Sequence, residues 1–269
     1  MGLIRRVDEA RKAYAKRDKA AASGAHRVER IRQAAAEEHG GAGSQYIGDL
    51  VYGGLDGIVT TFAVVSGVEG AELESGVVLI LGVVNLLADG FSMATGAYLS
   101  AKSEQEYYAK EREREAWEVD HFPQGERMEL YELYVRRGYS EEEARQLVEI
   151  KSREKVRWVE AMMIEELGLL KDTRNPLVNG LVTLVAFVVV GIVPLLTYLV
   201  GLVVPMSSHA AFPIAVALSG LALFALGAAK VLVTHQNPVR SGLEMLGVGG
   251  LAAVVAYGVG ALLKGLALG

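Results

Sequence analysis

The chain has 269 residues, of which 51% are hydrophobic and 22% are charged, with 27 Lys and Arg against 32 Asp and Glu. It contains no cysteine, which excludes a disulfide framework and a thiolate metal site. The hydrophobic residues are gathered into long apolar runs, which excludes a soluble domain with one large core and predicts an integral membrane protein.

The N-terminal segment, residues 1–45, is charged throughout and lacks the apolar stretch of a signal peptide. Residues 1–35 are rich in Ala, Arg, Lys and Glu, which favour helix. Both a surface amphipathic helix and a disordered tail are compatible with this composition. We therefore treat residues 1–45 as a charged cytoplasmic segment to which the sequence assigns no role.

Five apolar runs follow, each near the length of about 20 residues that a helix needs to cross a bilayer. They cover residues 47–70, 76–100, 177–204, 212–234 and 241–264. Pro194 lies inside the third run and should kink it, whereas Pro205 and Pro213 are expected to bracket the following loop. The sequence thus predicts an all-α integral membrane protein, with transmembrane spans one and two within 46–100 and spans three to five within 176–269.

The basic residues predict the orientation of these spans. Of the 27 Lys and Arg, 24 lie in residues 1–45 and 101–175, and none lie in the connections 70–75 and 205–211. Because Lys and Arg accumulate on the cytoplasmic side, we expect the N-terminus and residues 101–175 in the cytoplasm and the C-terminus outside. The Ala-, Gly- and Val-rich spans favour a bacterial cytoplasmic membrane, or a vacuolar-type membrane if the protein is eukaryotic.

Between spans two and three lies a charged stretch, residues 101–175, that predicts a three-helix cytoplasmic insert. The first helix continues from span two and stops near Pro123, and the second ends at Gly138. The third begins at Ser140, where the sequence SEEE offers a capping box, and runs without interruption to Gly168.

Polar residues inside the first two spans predict an ion path. An aspartate at the centre of a membrane helix costs about 2.5–3.5 kcal/mol, so such residues usually serve an ion or a partner. Asp56 and Asp89 each lie about 15 Å from the cytoplasmic end of their helices, near the bilayer midplane. Thr60 shares a helix face with Asp56, and Asn85 and Met93 share one with Asp89. Oxygens with one thioether suit a first-row transition metal better than Mg²⁺ or Ca²⁺, although Met93 alone is also compatible with simple packing.

The insert carries acidic residues at helical spacing. Glu111, Glu115 and Glu118 form one face of the first insert helix, and Glu126 and Glu129 repeat this spacing on the second. Because these residues alternate with Lys and Arg, a solvated face and a metal site both stay open on spacing alone.

Two further polar residues have no assigned role. His121 completes a single Glu-x-x-His, whereas a ferritin-like di-iron site needs two, so a ferroxidase is not favoured. Glu244, near the start of the fifth span, is expected either to reach the interface or to join the path.

Several motifs carry a resemblance to a known family: GGLDGIVTTFAVVSGVEGA, ADGFSMATGAYLSAKSEQEYY, YVRRGYSEEEARQLV, GIVPLLTYL and SGLEMLGVGGLAAVVAYGVG. From about Tyr46 onward the chain resembles the vacuolar iron transporter family, whereas residues 1–45 lie outside the resemblance. It implies a homodimer of five-span protomers in a lipid bilayer that exports Fe²⁺ or Mn²⁺ from the cytoplasm while protons enter. Zn²⁺ and Co²⁺ are further candidate ions; no permanent cofactor, catalytic residue or nucleic-acid partner is expected.

The resemblance also implies site residues. The family's intramembrane Asp and Met correspond to Asp56 and Met93. Its cytoplasmic domain binds metal through glutamates and a methionine, which correspond to Glu115, Glu118, Glu126, Glu129, Met163 and Glu166. The main alternative is a membrane-anchored storage or sensor protein that binds metal without moving it, and another is a transporter of a different cation or an organic solute.

Overall fold

The structure, a computed structural model, describes residues 9–10, 12–14, 16–35, 44–204, 208–230 and 237–267. Within these residues the chain is helical and contains no strand. Two short helices, α1 (Lys19–Ala25) and α2 (Val28–Ala35), lie in the N-terminal segment. Part of this segment is therefore helical, as one of the two alternatives predicted. Residues 1–8 and 36–43 lie outside the described residues.

Five helical segments are long and apolar enough to cross a membrane, which confirms the predicted number of spans. Spans one and two are α3 (Ile47–Gly70) and the first half of α4 (Ser75–His121). The other three spans are α8 (Pro176–Gly191) with α9 (Leu196–Gly201), then α10 (Ser208–Ala229), and finally α11 (Pro238–Ala267).

Two prolines have different effects on their spans. Pro194 lies in a 3₁₀ turn, Val193–Leu195, that separates α8 from α9, so the predicted kink is confirmed. Its ring removes a backbone donor and clashes with the preceding turn of an α-helix. Pro213, in contrast, lies inside α10 rather than at the end of a loop. The prediction that it bounds the loop is wrong, because a proline near a helix start loses little hydrogen bonding.

Spans one and three pack with their backbones in close contact. A Cβ atom on Gly57 would lie 2.3 Å from the Phe187 carbonyl oxygen, and one on Gly53 would lie 2.7 Å from the Thr183 carbonyl oxygen. Only glycine permits this approach, which is the role that small residues play between membrane helices. Side chains from four spans complete this membrane core: Val65, Val68, Val78, Leu86, Phe187, Leu195, Tyr198, Ala211 and Ala215.

Helix α4 continues without a break through 47 residues. At 1.5 Å per residue it is about 70 Å long, more than twice the thickness of the hydrocarbon layer. Its second half packs with α5 (Pro123–Arg136) and α7 (Lys155–Ala161), and α6 (Glu141–Lys151) packs against α5. A π-helical turn, Met162–Glu166, follows α7.

Local signals in the insert set most of these helix ends. Pro123 is the first residue of α5, and Ser140 forms the predicted capping box with Glu143. Gly138 and Gly168 adopt positive φ angles of 96° and 66°, which glycine allows at the ends of helices.

The third insert helix is not continuous, so that prediction is wrong. Glu154 has an extended backbone and separates α6 from α7. In one uninterrupted helix Trp158 would point about 80° away from Val148. The break lets both enter one hydrophobic core, which consists of Val119, Leu130, Tyr134, Ala144, Val148, Trp158, Val159, Met162 and Met163.

Candidate metal centre

Three glutamates of the insert come together across the turn between α4 and α5. Glu115 and Glu118 lie on α4, Glu126 lies on α5, and one carboxylate oxygen of each lies within 4.8 Å of those of the other two. Glu115 is only 1% exposed and Glu126 only 4%. These residues form the three-glutamate cluster, and oxygen-only ligands at such distances suit a divalent cation.

The cluster holds more negative charge than its surroundings neutralise. Burial, together with the negative charges of Glu129 and Glu115, raises the pKa of Glu126 to about 8. Burial likewise raises the pKa of Glu115. One Glu126 oxygen, Oε2, is buried without a hydrogen-bond partner among the described residues. A buried carboxylate without a partner is costly, so the cluster is suited to a proton or a metal ion.

Glu129 and Glu166 lie near this cluster. Burial raises the pKa of Glu166, and the negative charge of Glu129 acts in the same direction. Glu165, the neighbour of Glu166 in the same π-helical turn, has different partners, since its carboxylate forms ion pairs with Arg137 at 2.9 Å and Lys151 at 3.0 Å. Glu129 and Glu166 can therefore serve as additional ligands at the edge of the cluster.

The predicted sulfur ligand lies in a different environment. Met163, like Met162, is fully buried in the hydrophobic core of the insert. His121 is exposed, stacks on Trp117 with ring centroids 4.4 Å apart, and makes a 2.8 Å contact from Nδ1 to the Trp117 carbonyl oxygen. His121 is thus not part of the cluster.

One residue of the site escaped the sequence analysis. The guanidinium of Arg114 donates hydrogen bonds to Glu111 at 2.9 Å, to Glu115 at 2.6 Å and to Glu118. Its position among three glutamates one turn apart is visible in the sequence, but the same pattern is typical of any exposed charged helix.

The intramembrane pair, Asp56 and Asp89, lies on the adjacent antiparallel helices α3 and α4. Both residues are partly exposed at the surface of the single chain, and the two side chains interact electrostatically. The Thr60 hydroxyl donates a 2.8 Å hydrogen bond to the backbone carbonyl oxygen of Asp56. Thr60 therefore binds the helix backbone and not the Asp56 carboxylate. The sequence correctly places these two acids next to each other.

Two predicted path residues have distinct surroundings. Asn85 has a buried amide nitrogen, Nδ2, without a hydrogen-bond partner among the described residues. Met93 is partly buried and packs against the membrane core, which fits the packing alternative and does not test metal binding.

Asp49 is a second residue that the sequence analysis missed. It lies seven residues before Asp56, and therefore on the same face of α3 about two turns closer to the start of the helix. Its Oδ2 atom is buried without a hydrogen bond among the described residues and lies 3.8 Å from an Arg174 nitrogen. The helical spacing from Asp56 was a signal that would have found it.

The chain has relatives among known proteins. Residues 47–261 match the sequence profile of the VIT family. The chain belongs to this family. It is 40% identical to a vacuolar iron transporter of Toxoplasma gondii, over 97% of this chain and 89% of that protein. It is 34% identical to one of Plasmodium falciparum, over 97% and 98%, and 33% identical to vacuolar iron transporter 1 of Eucalyptus grandis, over 88% and 93%.

Membership in the VIT family confirms the resemblance and makes the chain a transport protein rather than an enzyme. The alignment with the Toxoplasma protein covers 97% of the chain and so includes most of residues 1–45. The family profile itself begins at residue 47, as the resemblance implied, so similarity in residues 1–45 is to this relative rather than to the family profile. These relatives are eukaryotic, and a bacterial membrane for this VIT-family chain stays a prediction.

Proposed function

We propose that this VIT-family protein exports Fe²⁺ from the cytoplasm in exchange for protons, and that it also accepts Mn²⁺. The names of its relatives support iron as the transported ion. Mn²⁺ is included because oxygen ligands with an optional thioether accept both ions, and Zn²⁺ and Co²⁺ are weaker candidates on the same chemistry.

The observation that carries the transport route is the intramembrane pair. Asp56 and Asp89 lie on neighbouring helices and interact electrostatically inside two membrane-spanning segments. Two adjacent carboxylates in a bilayer are costly unless they bind a cation or protons. A carboxylate that accepts a proton in place of a metal ion supplies the exchange that antiport requires.

The three-glutamate cluster is proposed to capture the ion before it enters the membrane. Its support is the Oε2 atom of Glu126, which is buried without a hydrogen-bond partner among the described residues. The neighbouring charges that act on this carboxyl are those of other glutamates. Glu129, Glu166 and Met163 are proposed as further ligands. Residues 101–175 would thus be a cytoplasmic metal-binding domain, consistent with their many basic residues.

The working unit is proposed to be a homodimer. The intramembrane acids are only partly covered in the single chain, and exposure of a carboxylate to lipid is unfavourable. A second copy that covers this face would exclude lipid and enclose the path between the first two spans of both chains.

The test is metal flux in sealed proteoliposomes that contain one dye quenched by metal and one pH dye. With a proton gradient, wild type should move Fe²⁺ and Mn²⁺ with opposite proton movement. Asp56→Ala should abolish flux but keep Mn²⁺ binding at the three-glutamate cluster. Glu74→Ala, which changes an exposed carboxylate in the turn after span one, should transport normally.

The second candidate is a membrane-anchored storage or sensor protein, a function for which the three-glutamate cluster alone would be sufficient. It predicts that folded wild-type protein binds Mn²⁺ but shows no flux in either direction. That result would exclude the transporter, whereas loss of both flux and binding in Asp56→Ala would make Asp56 a structural residue.

A further inference from the structure

We propose that Arg114 is a built-in competitor for the metal ion: its guanidinium holds the three-glutamate cluster when no ion is bound and leaves when one binds. This proposal rests on the proposed metal-binding role of the cluster. It adds a residue that sets the affinity and the charge selectivity of that site.

The contacts of Arg114 divide into two groups. Two of its hydrogen bonds go to members of the cluster, to Glu115 Oε1 at 2.6 Å and to Glu118 Oε2. The third goes from Nε to Glu111 Oε2 at 2.9 Å, and Glu111 does not belong to the three residues whose oxygens converge. Arg114 therefore bridges the cluster and a glutamate beside it.

Arg114 is the cation on which the cluster depends. Among the described residues it is the one that forms an ion pair with Glu115 or Glu118, and Glu126 has no ion pair with any of them. Glu115 is 1% exposed, so water screens this contact far less than it screens an ordinary surface ion pair. The contact therefore has a substantial effect on the occupancy of the cluster.

The guanidinium and a metal ion in the cluster compete for the carboxylates of Glu115 and Glu118. A cation bound between Glu115, Glu118 and Glu126 places positive charge next to Arg114 and neutralises two of the carboxylates that Arg114 now contacts. Arg114 is 43% exposed at its side chain, so it has room to turn toward solvent. Glu111 is one turn away on the same helix and can keep the displaced guanidinium.

This exchange favours divalent ions. A monovalent ion such as Na⁺ or K⁺ brings the same single charge as Arg114 but loses the directed hydrogen bonds of the guanidinium fork. A divalent ion brings twice the charge and direct coordination. Arg114 therefore raises the threshold for occupation of the cluster and makes release of a bound ion easier.

The experiment is Mn²⁺ binding by the full-length, detergent-solubilised protein, with free Mn²⁺ measured by its electron paramagnetic resonance signal. Arg114→Gln should bind Mn²⁺ about tenfold more tightly than wild type, because a charged hydrogen-bonded competitor is removed. The matched control is Arg112→Gln on the same helix. Arg112 is exposed and has no ion pair with a described residue, so its affinity change should stay below about twofold.

A double-mutant cycle separates displacement from simple loss of charge. Glu111→Gln should weaken Mn²⁺ binding, because Glu111 is the one carboxylate left to a displaced Arg114, whereas in the metal-free state Glu115 and Glu118 still hold it. This effect should vanish in the Arg114→Gln background. Glu113→Gln, an exposed neighbour, provides the control for charge. Additive effects of the two changes would overturn the proposal.

Arg114→Lys tests the proposal if the glutamine variant does not fold. Lysine keeps the charge but cannot hold several carboxylates with one planar fork, so its affinity should lie between those of wild type and Arg114→Gln. The proposal fails if Arg114→Lys binds Mn²⁺ no more tightly than wild type. If the wild-type protein itself binds no Mn²⁺, the proposed capture role of the cluster is rejected, and this measurement on wild type needs no variant.

Discussion

The carboxyl group of Glu126 is where the charge of the site depends most directly on pH. Burial, together with the negative charge of Glu129, raises its pKa to about 8. Below that pH the folded, metal-free protein holds a proton on Glu126. Because a divalent ion binds the carboxylate form, binding must release this proton.

We expect Mn²⁺ affinity to fall about tenfold for each pH unit between pH 8 and pH 6, and to level off above pH 8. The sign follows from the raised pKa, since protons compete only below it. Calorimetry in buffers with different ionisation enthalpies measures the protons released, and we expect about one per ion below pH 8. Glu132→Gln, on the exposed side of α5, should leave this release unchanged. An affinity independent of pH in this range would contradict the assignment.

At this scale the sequence predicted the spacing of Glu115, Glu118 and Glu126 but not their charge environment. The role of Arg114 depends on the burial of Glu115, which arises only when α5 and α7 fold against α4. An exposed helix with the same residues would carry ordinary surface ion pairs.

Among the helices, the contact of α3 with α8 depends on the absence of one Cβ atom. Gly57→Ala would place a Cβ 2.3 Å from the Phe187 carbonyl oxygen, so the two spans must move apart. We expect a loss of about 1–3 kcal/mol in the free energy of unfolding, measured by thermal unfolding in detergent. Gly48→Ala on the same helix meets no atom within 4 Å and should be neutral or stabilising. Equal stabilities of the two variants would contradict this packing.

Helix ends set by local chemistry were predictable, as Pro123, Gly138 and Ser140 show. The break at Glu154 and the π-helical turn Met162–Glu166 were not. Both allow side chains of the insert to pack into its hydrophobic core. No local sequence pattern shows that Val148 and Trp158 must point into the same core.

For the whole molecule, the cysteine-free sequence permits a direct test of the homodimer. Ser92 is exposed and shares the Asp89 face of α4, whereas Leu87 is 59% exposed on the opposite side. With a short bis-maleimide in membranes, we expect Ser92→Cys to form covalent dimers and Leu87→Cys to stay monomeric. Cross-linking of Leu87→Cys alone would place the interface on the other face.

The continuous helix α4 carries both Asp89 and Glu115, which are about 39 Å apart along its axis. That distance is several times the screening length of about 8 Å in physiological salt. At this separation, filling one site has only a small direct effect on the electric potential at the other. In the proposed transport route an ion would leave the cluster and diffuse to the membrane, so the insert would act as a local reservoir whose filling sets the supply of ions to the first span.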